Sequence, residues 1–127
     1  MKRKLLRIIV APFGFVISLI KIVNVGSRDI INKLSYPKSV IMSDVSITND
    51  TLIGMETMIG KNCILNHCNI GKYTKIHMDS RLENVTIGNY CSIAHNVLIG
   101  LGEHPINRLS TSSYFYNSKT KILEDGF

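Results

Sequence analysis

The sequence has no tryptophan, few aromatic residues and only three cysteines among its 127 residues. The middle of the chain lacks the basic residues interleaved with aromatic ones that nucleic-acid binding requires, so nucleic acid is not an expected partner. Three cysteines, an odd number without close pairs, argue against a disulfide framework or a thiolate metal site. We expect Cys63, Cys68 and Cys91 to be buried, unreactive thiols that pack as small apolar side chains.

Charge is scarce over the body of the protein and concentrated at its start. Residues 1–38 hold eight basic residues and one acidic residue, a net charge of +7, whereas residues 39–127 hold seven basic and eight acidic residues, a net charge of −1. A basic arm on a nearly neutral body favours contact with an anionic membrane surface. Reduced thiols favour the cytoplasm, so we expect a cytoplasmic protein that contacts the inner face of the membrane.

Aliphatic residues recur at an almost constant interval between residues 41 and 99. Eight of the ten steps are six residues long and two are five. A second series of small or β-branched residues follows four positions behind the first. The first series is Ile41, Ile47, Ile53, Ile59, Ile64, Ile70, Ile76, Leu82, Ile87, Ile93 and Ile99; the second is Val45, Thr51, Thr57, Cys63, Cys68, Thr74, Ser80, Thr86, Cys91 and Val97.

A period of six fits neither an amphipathic helix nor an alternating strand. It is typical of a solenoid in which each hexad forms one flat side and three sides complete a triangular coil. The aliphatic residue then points inward and stacks on its equivalents, and the small residue fits near a corner. We expect glycine or asparagine at the bends to adopt the positive φ of a tight turn. The sequence thus predicts an all-β protein with three complete coils and part of a fourth.

The hexads resemble those of the hexapeptide-repeat acyltransferases, which fold as a left-handed parallel β-helix. Residues 87–94, Ile-Gly-Asn-Tyr-Cys-Ser-Ile-Ala, followed by Gly-Leu-Gly-Glu-His-Pro at 100–105, are similar to the branch of xenobiotic and polysaccharide O-acetyltransferases. The resemblance implies a homotrimer that transfers an acetyl group from acetyl-CoA to a hydroxyl of a sugar or a cell-surface polysaccharide precursor. It implies no metal. The expected organisation is an N-terminal segment (1–38), a β-helix (39–100) and a protruding loop with a tail (101–127).

His104 is the expected catalytic residue, because acyl transfer to a hydroxyl needs a general base that works near neutral pH. It matches the catalytic histidine of the family that the chain resembles. Glu103 is expected to orient the imidazole beside the acceptor. The resemblance also implies that hydroxyl and aromatic side chains further along the loop shape the acceptor side of the cleft: Ser110, Thr111, Tyr114 and Tyr116.

One other function remains open, and the histidine spacing argues against a second. Members of the family that this sequence resembles continue with further coils, which carry most of the surface that binds the acyl-CoA donor. The resemblance therefore implies a C-terminally truncated chain. A non-catalytic β-helix that scaffolds or binds a partner is therefore the alternative. The gamma-class carbonic anhydrases share this solenoid and place three histidines around zinc. The spacings of ten, eighteen and nine residues between His67, His77, His95 and His104 do not fit that pattern.

The start of the chain combines basic and apolar residues. Residues 8–20 carry no charge, but thirteen residues are fewer than the about 20 that a spanning helix needs, and Pro12 and Gly14 interrupt a helix. We expect a short helix over residues 17–34 that caps the open first coil, and membrane contact through residues 1–34. A secretory signal also begins with a basic and then an apolar stretch, but no small-residue cleavage site follows.

Overall fold

The structure is a computed structural model, and it describes residues 2–104, 106–107 and 110–112. One long helix precedes a series of very short strands. In the described part of the chain the elements are α1 (Lys2–Ser35), β1 (Val40–Ile41), β2 (Ser46–Ile47), β3 (Leu52–Ile53), β4 (Met58–Ile59), β5 (Ile64–Asn66), β6 (Asn69–Ile70), β7 (Lys75–Ile76), β8 (Arg81–Glu83), β9 (Thr86–Ile87), β10 (Ser92–Ile93) and β11 (Leu98–Ile99).

Every third strand belongs to the same parallel sheet, so the chain winds as a three-sided coil. Face A contains β1, β4, β7 and β10; face B contains β2, β5, β8 and β11; face C contains β3, β6 and β9. The N–H groups of one coil donate to carbonyls of the next, as in Val40 N to Thr57 O (2.9 Å) and Met58 N to Thr74 O (2.9 Å). This architecture is consistent with the left-handed parallel β-helix that the resemblance implied.

The core is a set of aliphatic columns that run along the coil axis. Within one column on face A, Ile41 pairs with Ile59, and Ile59 pairs with Ile76. Small residues at the corners complete the core. Their hydroxyls are satisfied by the neighbouring coil, since Thr57 Oγ1 donates to Gly71 O (3.0 Å) and Thr74 Oγ1 to Gly88 O (2.9 Å). Of the cysteines, Cys63 and Cys68 are buried as predicted, whereas Cys91 is half-buried.

At two positions of the predicted series, the residue that packs into the core is the neighbour of the predicted one. Leu65, and not Ile64, is buried in the core, and it pairs with both Ile47 and Leu82. The error arose because adjacent aliphatic residues fit the period equally well, although a strand directs them to opposite faces. Thr86 is likewise exposed, and Val85 packs against the core in its place.

With Leu65 in the column, both five-residue steps fall at the same corner. The step between faces B and C is six residues in the first coil, from Ile47 to Ile53, but five in the next two, which begin at Leu65 and Leu82. We call this the B–C corner; it comprises residues 48–51, 67–68 and 84–85. The step across this corner is therefore one residue shorter after the first coil.

The predicted positive φ at the bends is confirmed for Asn62, Asn84 and Asn96, but it is wrong for glycine at most positions. Among the described residues, the positive φ angles belong to nine residues other than glycine and to Gly100. Glycine is needed elsewhere because the coils approach closely: a Cβ on Gly71 would lie 2.5 Å from the backbone of Gly88. The nine residues are Asp44, Glu56, Asn62, His67, Tyr73, Asp79, Asn84, Tyr90 and Asn96.

Helix α1 is longer than predicted, since it continues through Pro12 and Gly14. Its last turns contact the coil, where Asn32 Nδ2 donates to Val45 O (2.8 Å) and the Tyr36 hydroxyl, just beyond the helix, donates to Thr51 O (2.9 Å). Arg28 also pairs with Asp44. The C-terminal end of α1 thus caps the first coil, while the rest of the helix projects away from it.

The segment of α1 from residue 10 to residue 35 is long and apolar enough, by length and composition, to cross a membrane. Signal sequences near an N-terminus and core helices of soluble proteins meet the same criterion. A core helix would be mostly buried, whereas here none of the most apolar window is buried in the protein. The prediction that this region is too short to span a membrane is therefore wrong for α1.

The register on face B predicts that Leu65 contributes more than Ile64 to the free energy of unfolding. Leu65→Ala should lower the free energy of unfolding by about 2–5 kcal/mol, because it leaves a cavity in the core column. Ile64→Ala is the matched control and should lower it much less, because Ile64 lies only half-buried. Chemical denaturation followed by circular dichroism measures both. Equal losses in the two variants would contradict the register.

Candidate functional site

The segment that carries His104 leaves the coil at the end of β11. Leu98 and Ile99 still pair with Arg81 and Leu82 of β8. Gly100 then adopts a φ of +73°, and a Cβ at this position would lie 1.8 Å from Glu83 O. Only glycine fits so close to the coil below. The chain therefore turns away from the stack where the next B–C corner would begin.

His104 and Glu103 follow this turn in an exposed segment without regular secondary structure. Exposure outside the core is what a base that meets a substrate requires. Of the other predicted acceptor residues, Ser110 is half-buried and Thr111 exposed, and Ser110 Oγ accepts a hydrogen bond from the N–H of Ser112 (3.1 Å). Tyr114 and Tyr116 lie outside the described residues. The roles assigned to all six residues stay predictions.

A column of polar residues lies along the B–C corner below this turn. Counted back from face C, where Leu52 pairs with Asn69 and Asn69 pairs with Thr86, equivalent positions in three successive coils hold Asp50, His67 and Asn84. His67 and Asn84 adopt left-handed backbone conformations with φ of 54° and 53°, which histidine and asparagine tolerate better than most residues. Gly100 lies against Glu83, the residue before Asn84, so the His104 segment starts next to the end of this column.

Asp50 and His67 form a hydrogen-bonded pair between Oδ2 and Nδ1. The backbone N–H of His67 donates to Thr48 Oγ1 (2.9 Å), which holds the residue against the first coil. The hydrogen bond from His67 lowers the pKa of the Asp50 carboxyl, and a second one from Thr48 adds to this. An imidazole that donates through Nδ1 keeps Nε2 as an acceptor. Both side chains remain more than half exposed.

The pair lies at one end of a groove of about 340 Å³ on the outside of the coil. Its walls combine polar and apolar groups, as small-molecule sites do. The lining residues are Asp50, Leu52, His67, Cys68, Asn69, Asn84, Val85 and Thr86.

Sequence reasoning did not identify this groove, because nothing in the linear sequence pairs His67 with Asp50. One signal could have found the pair. Asp50 and His67 are separated by 17 residues, the length of a coil that contains the short step, so the two residues stack.

A second histidine contact joins His77 and His95, whose ring centroids lie 4.8 Å apart. Among the described residues, no three or more His, Cys, Asp or Glu side chains are grouped so that they could hold a metal ion.

Comparison with known proteins identifies one similarity. The family model described as "Bacterial transferase hexapeptide (six repeats)" matches residues 67–101. This match supports the broad family of hexapeptide-repeat transferases. The matched stretch begins at His67 in the B–C corner and ends where the His104 segment leaves the coil. Searches of curated proteins and of solved structures give no significant match.

The Asp50–His67 pair has a measurable pH signature. A carboxyl with a lower pKa in the folded than in the unfolded state stabilises the fold above its unfolded pKa, and this contribution disappears as the pH falls through the folded pKa. NMR titration of the Asp50 carboxyl carbon should therefore give a midpoint below 3.8. His67→Gly, which retains the left-handed backbone, should move the midpoint upward.

Asn84→Gly is the control for this titration, because it makes the same change to glycine one coil further along the same corner. It should leave the Asp50 midpoint where it is in the unmodified protein. A midpoint that does not respond to His67→Gly would contradict the assigned hydrogen bond.

Proposed function

We propose that this protein is an O-acetyltransferase that moves an acetyl group from acetyl-CoA to a hydroxyl of a sugar or of a cell-surface polysaccharide precursor. The observation that carries the proposal is the hexapeptide β-helix, matched by the transferase family model, which ends beside an exposed histidine in a Gly-x-His-Pro sequence. Hexapeptide-repeat β-helix proteins are commonly trimers. We propose a homotrimer here as well, with the cleft between the β-helices of adjacent subunits.

In the proposed reaction His104 is the general base. Its imidazole accepts the proton of the acceptor hydroxyl as that oxygen attacks the thioester carbonyl carbon. The carbon–sulfur bond then breaks, and the departing sulfur takes up the proton from the imidazolium to give free coenzyme A. Glu103 would orient the imidazole, and the acceptor would contact Ser110, Thr111, Tyr114 and Tyr116. The turn at Gly100 supports this arrangement, because it anchors the segment on a rigid coil.

A kinetic comparison tests the role of His104. The assay measures release of free coenzyme A from acetyl-CoA in the presence of a panel of sugar acceptors. His104→Ala should lower kcat by about 10²- to 10⁴-fold, because the base is lost. His95→Ala is the matched control, since it removes another exposed histidine from the A–B side of the coil, and it should leave kcat unchanged.

An unchanged rate in His104→Ala would contradict the proposed mechanism. Folded wild-type protein that releases no coenzyme A with any acceptor would favour the alternative function, a non-catalytic β-helix that scaffolds or binds a partner.

We further propose that α1 brings the protein to the inner face of the membrane. The first seven residues include four basic ones, which favour anionic lipid. The following turns expose large apolar side chains to solvent, among them Phe13, Phe15 and Val16. These residues point in different directions around the helix axis, and a helix that is apolar all round needs an apolar environment.

Vesicle sedimentation tests this association with the full chain and vesicles that contain anionic lipid. The double variant Phe13→Ser, Phe15→Ser should weaken binding at least about tenfold, because each buried phenylalanine side chain contributes about 1.5–3 kcal/mol. Leu98→Ser is the control, because Leu98 is equally exposed but lies on the coil. Binding that both variants retain in full would contradict membrane contact through α1.

A further inference from the structure

The groove at the B–C corner is positioned by the same register that positions the His104 segment. Neighbouring strands in a sheet lie about 4.8 Å apart, so Asp50, His67 and Asn84 form a column about 10 Å long on the outside of the coil. A Cβ on Gly100 would lie 1.8 Å from Glu83 O and 3.2 Å from Val85 Cγ2, so Gly100 is a close neighbour of both residues. Because Val85 also lines the groove, the segment that leads to His104 begins at the edge of the groove.

The chemistry of the groove favours a neutral polyhydroxylated ligand. Asp50 accepts hydrogen bonds, His67 offers its second ring nitrogen, and the amides of Asn69 and Asn84 can both donate and accept. No lysine or arginine is among the residues that line the groove, and the Asp50 carboxylate repels anions, so the groove disfavours a phosphate or another strongly anionic group. Leu52 supplies an apolar surface beside these groups, with 63% of its area exposed.

The polar residues that line the groove are held in fixed positions and are accessible to a ligand. Asn69 and Thr86 lie on strands β6 and β9, which pair with each other on face C, and both are exposed. His67 is fixed by Thr48 and Asp50, as described above. Side chains that are fixed on strands and a paired corner lose little conformational freedom when a ligand binds.

We propose that this groove is a subsite for the acceptor glycan, which holds a sugar unit next to the one that is acetylated. The inference rests on the proposed O-acetyltransferase function, since the occupant is that reaction's acceptor. It specifies the substrate class further: the acceptor is an oligosaccharide or polysaccharide segment and not a free monosaccharide. Asn69, Asn84 and the Asp50–His67 pair recognise its hydroxyls, and the His104 segment lies at the end of the column where the acetylated unit would sit.

The test measures glycan binding by the full chain. The probes are a printed array of oligosaccharides from bacterial surface polysaccharides and the matching monosaccharides. The unmodified protein should bind one or more oligosaccharides and bind their monosaccharides at least tenfold more weakly. NMR with the oligosaccharide that binds should shift the backbone amides of residues 67–69 and 84–86.

The variant Asn69→Ala, Asn84→Gly should weaken this binding about tenfold or more, because it removes two amides that hydrogen-bond the ligand. Glycine at position 84 retains the left-handed backbone. Asn96→Gly is the matched control: Asn96 has a similar φ of 57°, is exposed and lies at another corner, so its replacement should not change binding. Thermal unfolding of both variants reports whether they are folded.

Two outcomes would overturn the inference: no oligosaccharide bound by the unmodified protein, or equal binding by the folded groove variant. Failure of the acetyltransferase proposal would look different. His104→Ala should retain oligosaccharide binding while it loses coenzyme A release. Oligosaccharide binding in the groove without any coenzyme A release would overturn the enzymatic reaction and retain the groove as a glycan site.

Discussion

The in-register stacking of one coil on the next is the constraint on which the rest of this structure depends. The N–H groups of each coil donate to carbonyls of the following coil or, as in Tyr73 N to Met55 O, of the preceding one. Its aliphatic residues lie on those of its neighbours. A slip of one residue would exchange the inner and outer faces of a strand. The stacking therefore fixes the core, and with equal precision it fixes which polar residues meet on the outside.

The outer columns differ because each corner has its own composition. At the corner between faces C and A, Tyr73 and Tyr90 stack with ring centroids 5.1 Å apart and nearly parallel planes. At the B–C corner the equivalent positions hold Asp50, His67 and Asn84, and the chain is one residue shorter after the first coil. The first column gives an aromatic stack on the surface, and the second gives a groove with a paired carboxylate and imidazole. The same backbone repeat thus produces an aromatic contact at one corner and a polar, hydrogen-bonded groove at another.

The sequence was sufficient to predict the coil, because its period matches neither a helix nor a simple strand. It was not sufficient at Ile64 and Leu65, where two adjacent aliphatic residues fit the period and only pairing with Ile47 and Leu82 selects one. The extent of α1 was missed because Pro12 and Gly14 disfavour a helix locally, yet the helix continues through both. The exposed candidate His104 could be chosen from its motif. The role of His67 could not, because its partner Asp50 is defined only once coils of 17 residues are stacked.

The two parts of the candidate site meet different physical requirements. A base must reach a reacting hydroxyl, which suits an exposed segment like that of His104, whereas recognition of an extended glycan needs groups held at fixed spacings. The B–C corner supplies that spacing, since Thr48, Asp50 and His67 tie the first coil to the second. Gly100 joins the two parts, because its lack of a side chain lets the His104 segment start in contact with Glu83. Backbone stacking therefore fixes where the His104 segment begins relative to the groove.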